Sequence, residues 1–367
     1  MDRAALLADA ADAAAVPIEA VEQSMAEVAE PFDLLLRSLT DDAALTAAGR
    51  AFTHGWLVRL LAGRTRLDAA VRADPGLAAE TIEAPLIVAG APRTGTTYLH
   101  GLLAQHPDLR APEGWELLYP APPPAAVVAD GDPRIAAADE ELTWPQRQND
   151  SMLSIHRYAG RMHKECLSAM SFAFRSEEFV SRYRVPRYVE WLAGGDMTPA
   201  YEMHRLVLRC LQRHRSSRWV LKSPVHLNNL PTVLATYPDA RIVITHREPR
   251  EVLGSVTSLV ANLRRAFSNA VDETEIARYH LDLYGRSLDA LVDADLMAAS
   301  VVHVDQHDLI RDPQGVLDHL CSRWDLARVT VDGRPPVEAG HHEYALAGVT
   351  AAEVDERFAR YRARFLP

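Results

Sequence analysis

The sequence is poor in cysteine, in long apolar runs and in net positive charge. Three cysteines in 367 residues, Cys166, Cys210 and Cys321, stand far apart with no Cys-x-x-Cys spacing. That argues against a disulfide framework or a structural zinc site, so no metal is expected and a reducing cytoplasm is the expected compartment. No apolar stretch approaches the roughly 20 residues that cross a bilayer, and no membrane partner is expected. The start, "MDRAALLADAADAAAV", lacks the basic region and unbroken apolar core of a secretory signal. A formal net charge of −11 argues against a nucleic-acid surface and confines any anion site to a local pocket.

What is present suits a soluble globule. The composition is 48% apolar and 24% charged, and the chain is long enough to bury a full core in one large α/β domain or two smaller ones. Residues 1–80 repeat apolar side chains three and four apart, as in "VEQSMAEVAEPFDLLLRSL" and "AGRAFTHGWLVRLLAGRTRL". They read as a helical preface that packs on the core or on a second subunit, which keeps a homo-oligomer open. After Pro85 the pattern changes. "LIVAG", "RWVLK" (218–222), "ARIVITH" (240–246) and "SVVHVD" (300–305) read as buried strands. Helical stripes stand between and after them, including Tyr98, Leu99, Leu102 and Leu103, then Val252, Val256, Leu259 and Leu263, then a helix over 275–293. Asp312 and Pro313 are expected to cap and open a last helix. The class is α/β, a central parallel sheet flanked by helices behind an N-terminal helical segment. The Pro- and Ala-rich stretch 120–134 reads as a long excursion of the kind that covers sites.

The first strand runs into "GAPRTGTTYL", residues 90–99, which has the outline of a phosphate-binding loop without its lysine: Thr96 stands in that slot and Thr97 follows. Backbone N–H groups of such a turn, at a helix N-terminus, bind an anion through hydrogen bonds and the helix dipole. The charge is on Arg93, inside the loop. A guanidinium fork suits a tetrahedral oxyanion that needs no metal mediator, and a sulfonate is such a group.

This loop resembles the phosphosulfate loop of sulfotransferases that use 3′-phosphoadenosine 5′-phosphosulfate (PAPS), where Pro-Lys/Arg-Ser/Thr-Gly-Thr-Thr recurs. The resemblance implies cofactor contacts at Pro92, Arg93, Thr94, Gly95, Thr96, Thr97 and Tyr98. "HREPREVLGS" supplies Arg247 and Ser255 at the spacing of the family's 3′-phosphate pair, a strand-end arginine and a serine eight residues on. "LKSPVHL" is similar to the family's Lys-Thr-His segment and implies Lys222 beside the bridging oxygen; His226 lies four residues on, where the family has two. The likeness extends through "PEGWELLYP", "HKECLSAMSF", "VPRYVEWL" and the tail "HHEYALAGVT", where Tyr344 is expected at the cofactor. It departs at "VDQHDLIRDP", where Gln306 and His307 take places in which relatives carry an aromatic residue on adenine. It implies the P-loop-like sulfotransferase fold in a single domain over 1–367: a helical segment 1–80, a PAPS-binding core 84–330 with covering segments 111–215, and a tail 331–367 closing the cofactor site.

Sulfuryl transfer to a hydroxyl needs in-line attack, a proton acceptor and cations on the sulfuryl and leaving oxygens. Arg93 and Lys222 are the candidate cations. Glu165 ranks first as base because "HKECLSAMSFAF" reads as a helix that buries it with Ala169 and Phe172; its bland alternative is an ion pair with Arg161 or Arg175. His226 and Glu116, with neighbouring Glu113, follow. Trp115, Tyr119, Trp144, Phe172, Phe174, Tyr188 and Trp191 are available to an acceptor pocket, with most of them expected in the core. The acceptor is then a small apolar or aromatic alcohol, the cofactor PAPS and its product the bisphosphate PAP. Two rivals stand. In a P-loop kinase or NTPase, Asp305 would hold magnesium; in an inactive PAPS-binding protein, the cofactor site persists without chemistry.

Overall fold

Four apolar residues in succession, Leu86–Ala89, form a strand covered on both faces, and all four are buried. In the computed structural model, which describes residues 1–125, 128, 131–152, 157–294, 301–333 and 345–366, this strand, β1, is the middle of a five-stranded parallel sheet. The others are β2 (Leu109–Arg110), β3 (Arg218–Lys222), β4 (Arg241–His246) and β5 (Val301–Asp305), in the order β2-β3-β1-β4-β5. Leu86 pairs with Val220 of β3 on one side and Arg241 of β4 on the other. The chain builds outward from β1 in both directions, so the carboxyl ends of β1, β3 and β4 meet at the switch point where open α/β sheets bind ligands.

Parallel neighbours require crossovers, and helices supply them. Thr96–Leu103 follows β1, Leu230–Thr236 lies between β3 and β4, Pro249–Arg265 and Glu273–Asp293 lie between β4 and β5, and Pro313–Arg323 follows β5. Asp312 caps the last of these through Gly315 N–H, with Pro313 in the first turn. Leu99, Leu102, Leu103, Leu317 and Leu320 pack on Val88, Val220 and Val243 in one core cluster. The strands read from apolar runs lie within a residue of their expected bounds; β2, two residues long, was not foreseen.

The chain divides into two compact units. One contains the sheet and comprises Glu83–Pro112, Ser217–Ala261 and Asp272–Pro367; the other comprises Met1–Ile82, Glu113–Ser216 and Asn262–Val271. The second unit is built of helices, among them Arg3–Ala14, Ile18–Met25, Ala29–Asp41 and the 27-residue Ala47–Ala73, which make up the expected preface. Its core is aromatic: Phe32 meets Phe174 edge-on at 5.0 Å and Phe179 meets Tyr188 at 5.6 Å. Of the aromatic residues proposed for an acceptor, Trp115, Phe172, Phe174 and Tyr188 are buried in this core. Trp144 stacks on Phe52 at 4.4 Å, and the Arg175 guanidinium covers Trp191 at 4.5 Å. Among the described residues no helix is long and apolar enough to cross a membrane.

Candidate active site

The loop after β1 owes its shape to three residues with left-handed φ: Gly90 at +145°, Arg93 at +69° and Gly95 at +91°. A Cβ on Gly90 would stand 2.5 Å from Thr245 Oγ1 and 2.9 Å from Thr94 Oγ1, so the backbone passes a pair of buried hydroxyls that only glycine clears. Those hydroxyls fix the inner side of the loop. Thr94 donates to the Ala91 carbonyl at 2.7 Å, and its oxygen lies 2.6 Å from that of Thr245 on β4. Gly95 then caps the helix Thr96–Leu103 without a side-chain bond, and the first N–H groups of any helix have no acceptor within it.

The cationic residues converge here, all within the sheet unit. Arg93 Nε donates to Ser255 Oγ at 3.1 Å, and Lys222, at the end of β3, donates to Thr97 Oγ1 at 3.1 Å. Arg247, just past β4, donates to the Arg93 carbonyl at 2.8 Å and pairs with Glu251 at 2.6 Å. The structure thus brings Arg93, Thr97, Lys222, Arg247 and Ser255 into one network around the helix N-terminus. Thr94 and Thr96 are buried, Pro92 is half-buried, and the Tyr98 hydroxyl is turned to the Gly333 carbonyl at 2.6 Å. His226 sits on the short helix Val225–Asn228 and is fully buried. Tyr344 lies outside the described residues. The chain contains only two lysines, Lys164 and Lys222, and both are buried, at 8% and 2% exposure.

The C-terminal helices are fastened beside Arg247. The Tyr361 hydroxyl is 2.9 Å from His246 Nδ1, and Arg362 pairs with Glu248. Burial, with neighbouring His303, holds His246 down at about 3, so it is a neutral ring at any physiological pH. Asp305, which a kinase reading would place on magnesium, accepts from the His307 N–H as a helix cap. Among the described residues no group of three or more His, Cys, Asp or Glu could hold a metal ion.

The candidate carboxylates belong to the helical unit. Glu113 and Glu116 form a capping box on the helix Gly114–Leu118: Glu116 accepts from Glu113 N–H at 2.9 Å, and Glu113 accepts from the Trp115 indole at 2.6 Å. Glu113 also forms an antiparallel bridge with His163, two residues ahead of Glu165. The helical reading of "HKECLSAMSFAF" needs correction. Cys166 is the cap and the helix begins at Leu167, so Glu165 stands before it, half-buried, and does not share a helix face with Ala169 and Phe172. Arg161 lies 3.7 Å from Glu113.

Glu116 is buried, and so is a second carboxylate of this region, Glu178, which sequence reasoning missed. It lies 2.8 Å from Arg182 and 3.6 Å from Lys164, with all three side chains under 9% exposed. Burial pushes its carboxyl up, but the charges of Lys164 and Arg182 outweigh that and hold it at about 2. An Arg four residues after a Glu on one helix was the available signal.

A model of the sulfotransferase family matches residues 85–330. Omega-hydroxy-beta-dihydromenaquinone-9 sulfotransferase Stf3, from Mycobacterium bovis and Mycobacterium tuberculosis, is 29% identical over 260 residues, 66% of this chain. The match spans 63% of those relatives' own length. Among solved structures, sulfotransferase STF1 of Mycobacterium tuberculosis H37Rv aligns over 98% of both chains at 29% identity, with a TM-score of 0.80. Sulfotransferase STF9 of Mycobacterium avium aligns over 99% of this chain and 96% of its own, with a TM-score of 0.79, and at 23% identity it shares the fold. The family match takes in the whole sheet and the anion loop, and the chain belongs to the sulfotransferase family.

Proposed function

We propose that the protein transfers the sulfuryl group of PAPS to a hydroxyl of a small apolar or aromatic acceptor by in-line displacement. The observation that carries this reading is the convergence of Arg93, Lys222, Arg247 and Ser255 on the N-terminus of the helix Thr96–Leu103. These residues fit a donor with two anionic groups. The helix N-terminus behind the left-handed loop would face one group, and Arg247 and Ser255, on the strand-to-helix turn after β4 and each bonded to Arg93, would face the other. When bound, the donor supplies an activated sulfuryl group and a nucleotide leaving group.

The chain's own residues then have distinct tasks. The N–H groups of Gly95 to Thr97 and the Arg93 guanidinium hold the sulfonate end; Arg247 and Ser255 hold the 3′-phosphate. Lys222, bonded to Thr97, would supply the ammonium that offsets negative charge developing on the leaving oxygen. Glu165 is proposed as the proton acceptor. Its rival Glu116 is engaged in capping its own helix. The relatives' names specify a hydroxylated menaquinone, which puts apolar alcohols first among acceptors to try.

The test is incubation of the enzyme with PAPS and a panel of phenols and apolar alcohols, read by mass spectrometry for a sulfate adduct, with and without EDTA. Adduct formation that survives the chelator is expected, together with thermal stabilisation by PAP. No adduct with any acceptor and no stabilisation by PAPS or PAP would overturn the proposal. Binding without turnover would leave a cofactor-binding protein.

A further inference from the structure

We infer that Gln306 is a positioning residue for the anion loop, an assignment that rests on the donor reading above and extends it. The loop holds Arg93 at φ +69°, a conformation that costs a residue with a Cβ and persists only where its surroundings impose it. In that conformation the Arg93 carbonyl accepts two bonds. One comes from Arg247 at 2.8 Å, the other from the Gln306 side-chain amide at 3.2 Å. Gln306 also lies against the last of the loop's three left-handed residues, Gly95. A Cβ built on Gly95 would stand 3.5 Å from Gln306 Cγ, so one side chain lies against Gly95 and bonds Arg93.

Gln306 is well held for this task. It opens the helix Gln306–Arg311 directly after β5, the turn is capped by Asp305 through His307 N–H, and the following Leu309 is fully buried. The sheet therefore delivers a primary amide to the loop from a fixed point. The two donors on the Arg93 carbonyl are unequal in what they can do. Arg247 is also the residue that would meet the donor's 3′-phosphate, and when it turns to that charge it loosens its hold on the loop. Gln306 carries no charge and is not drawn to a phosphate, so it holds the carbonyl while Arg247 is engaged. A methionine has the length without the N–H, and an ionised glutamate would present an acceptor to an acceptor.

The experiment compares the full-length wild type with Gln306→Met and Gln306→Glu. PAP binding is measured by calorimetry, thermal unfolding without ligand is recorded, and KM is determined separately for PAPS and for the acceptor. Loss of one bond that orders a strained carbonyl should weaken PAP binding and raise the PAPS KM about tenfold in Gln306→Met. The acceptor KM and the ligand-free melting temperature should stay at wild-type values. In Gln306→Glu the deficit should shrink relative to wild type as pH falls from 7 to 4, because a protonated carboxyl regains a donor. Wild-type PAP affinity in Gln306→Met overturns the inference, as does a parallel loss of stability and of both KM values. If the wild type itself fails to bind PAP, the donor reading falls and takes this assignment with it; if the wild type binds and the variants match it, only the assignment falls.

Discussion

Replacing Glu178 by glutamine should destabilise the helical unit in a pH-dependent way whose size can be worked out from its surroundings. The carboxyl is held at about 2 by Lys164 and Arg182, against an ordinary 4.5. A gap of that width corresponds to roughly 3 kcal/mol favouring the folded state when the group is ionised in both states. Because the folded value lies below the unfolded one, this stability is present above about pH 4.5 and is lost as pH falls toward about 2. Glutamine resembles the protonated form and leaves two buried cations facing a neutral amide, a situation that generally costs about 3–5 kcal/mol. Urea unfolding followed by tryptophan fluorescence is a suitable assay, since Trp56, Trp115, Trp144 and Trp191 all lie in this unit. The wild type should exceed Glu178→Gln by roughly 3 kcal/mol at pH 7, with the difference narrowing between pH 4.5 and 3. A difference below about 1 kcal/mol at pH 7, or one indifferent to pH, would refute the electrostatic account.

Other perturbations act on the loop. Gly90→Ala drives a Cβ into Thr245 and Thr94 at a positive φ, and PAP affinity should drop more than about tenfold by calorimetry. Lys222→Met keeps length and removes charge; kcat should fall about 100-fold while PAP binding changes only a few-fold, and an unchanged kcat would remove Lys222 from the chemistry. Glu251→Gln releases Arg247 from its partner at 2.6 Å, so PAP should bind about two- to threefold tighter at low salt, with the gain fading as salt is added.

The sheet was legible because β1, β3 and β4 are largely apolar runs buried on both faces, and burial of that kind leaves little freedom to be anything else. β2 was not, since Leu109 and Arg110 pair with β3 over two residues and carry no periodicity. At the site, spacing was informative wherever strand and helix geometry fix it. Arg247 and Ser255 stand on one strand-to-helix turn, and Lys222 ends a strand beside β1. What spacing could not show was long-range: Gln306 reaches Arg93 across 213 positions, and the Thr94–Thr245 contact spans 151. Glu165 was misplaced for a local reason. Its segment has helical periodicity, yet the backbone pairs Glu113 with His163 and begins its helix only after Cys166.

The two buried lysines also determine how the protein responds to reagents. Every lysine of the chain is accounted for by Lys164 and Lys222, so the cationic side chains on the folded exterior are arginines. Acylating agents aimed at lysine therefore find no ordinary surface target. Any lysine adduct formed under native conditions reports entry into the interior, and for Lys222 it reports access to the loop. Protection of that single position by PAP would turn a simple labelling reaction into a gauge of occupancy.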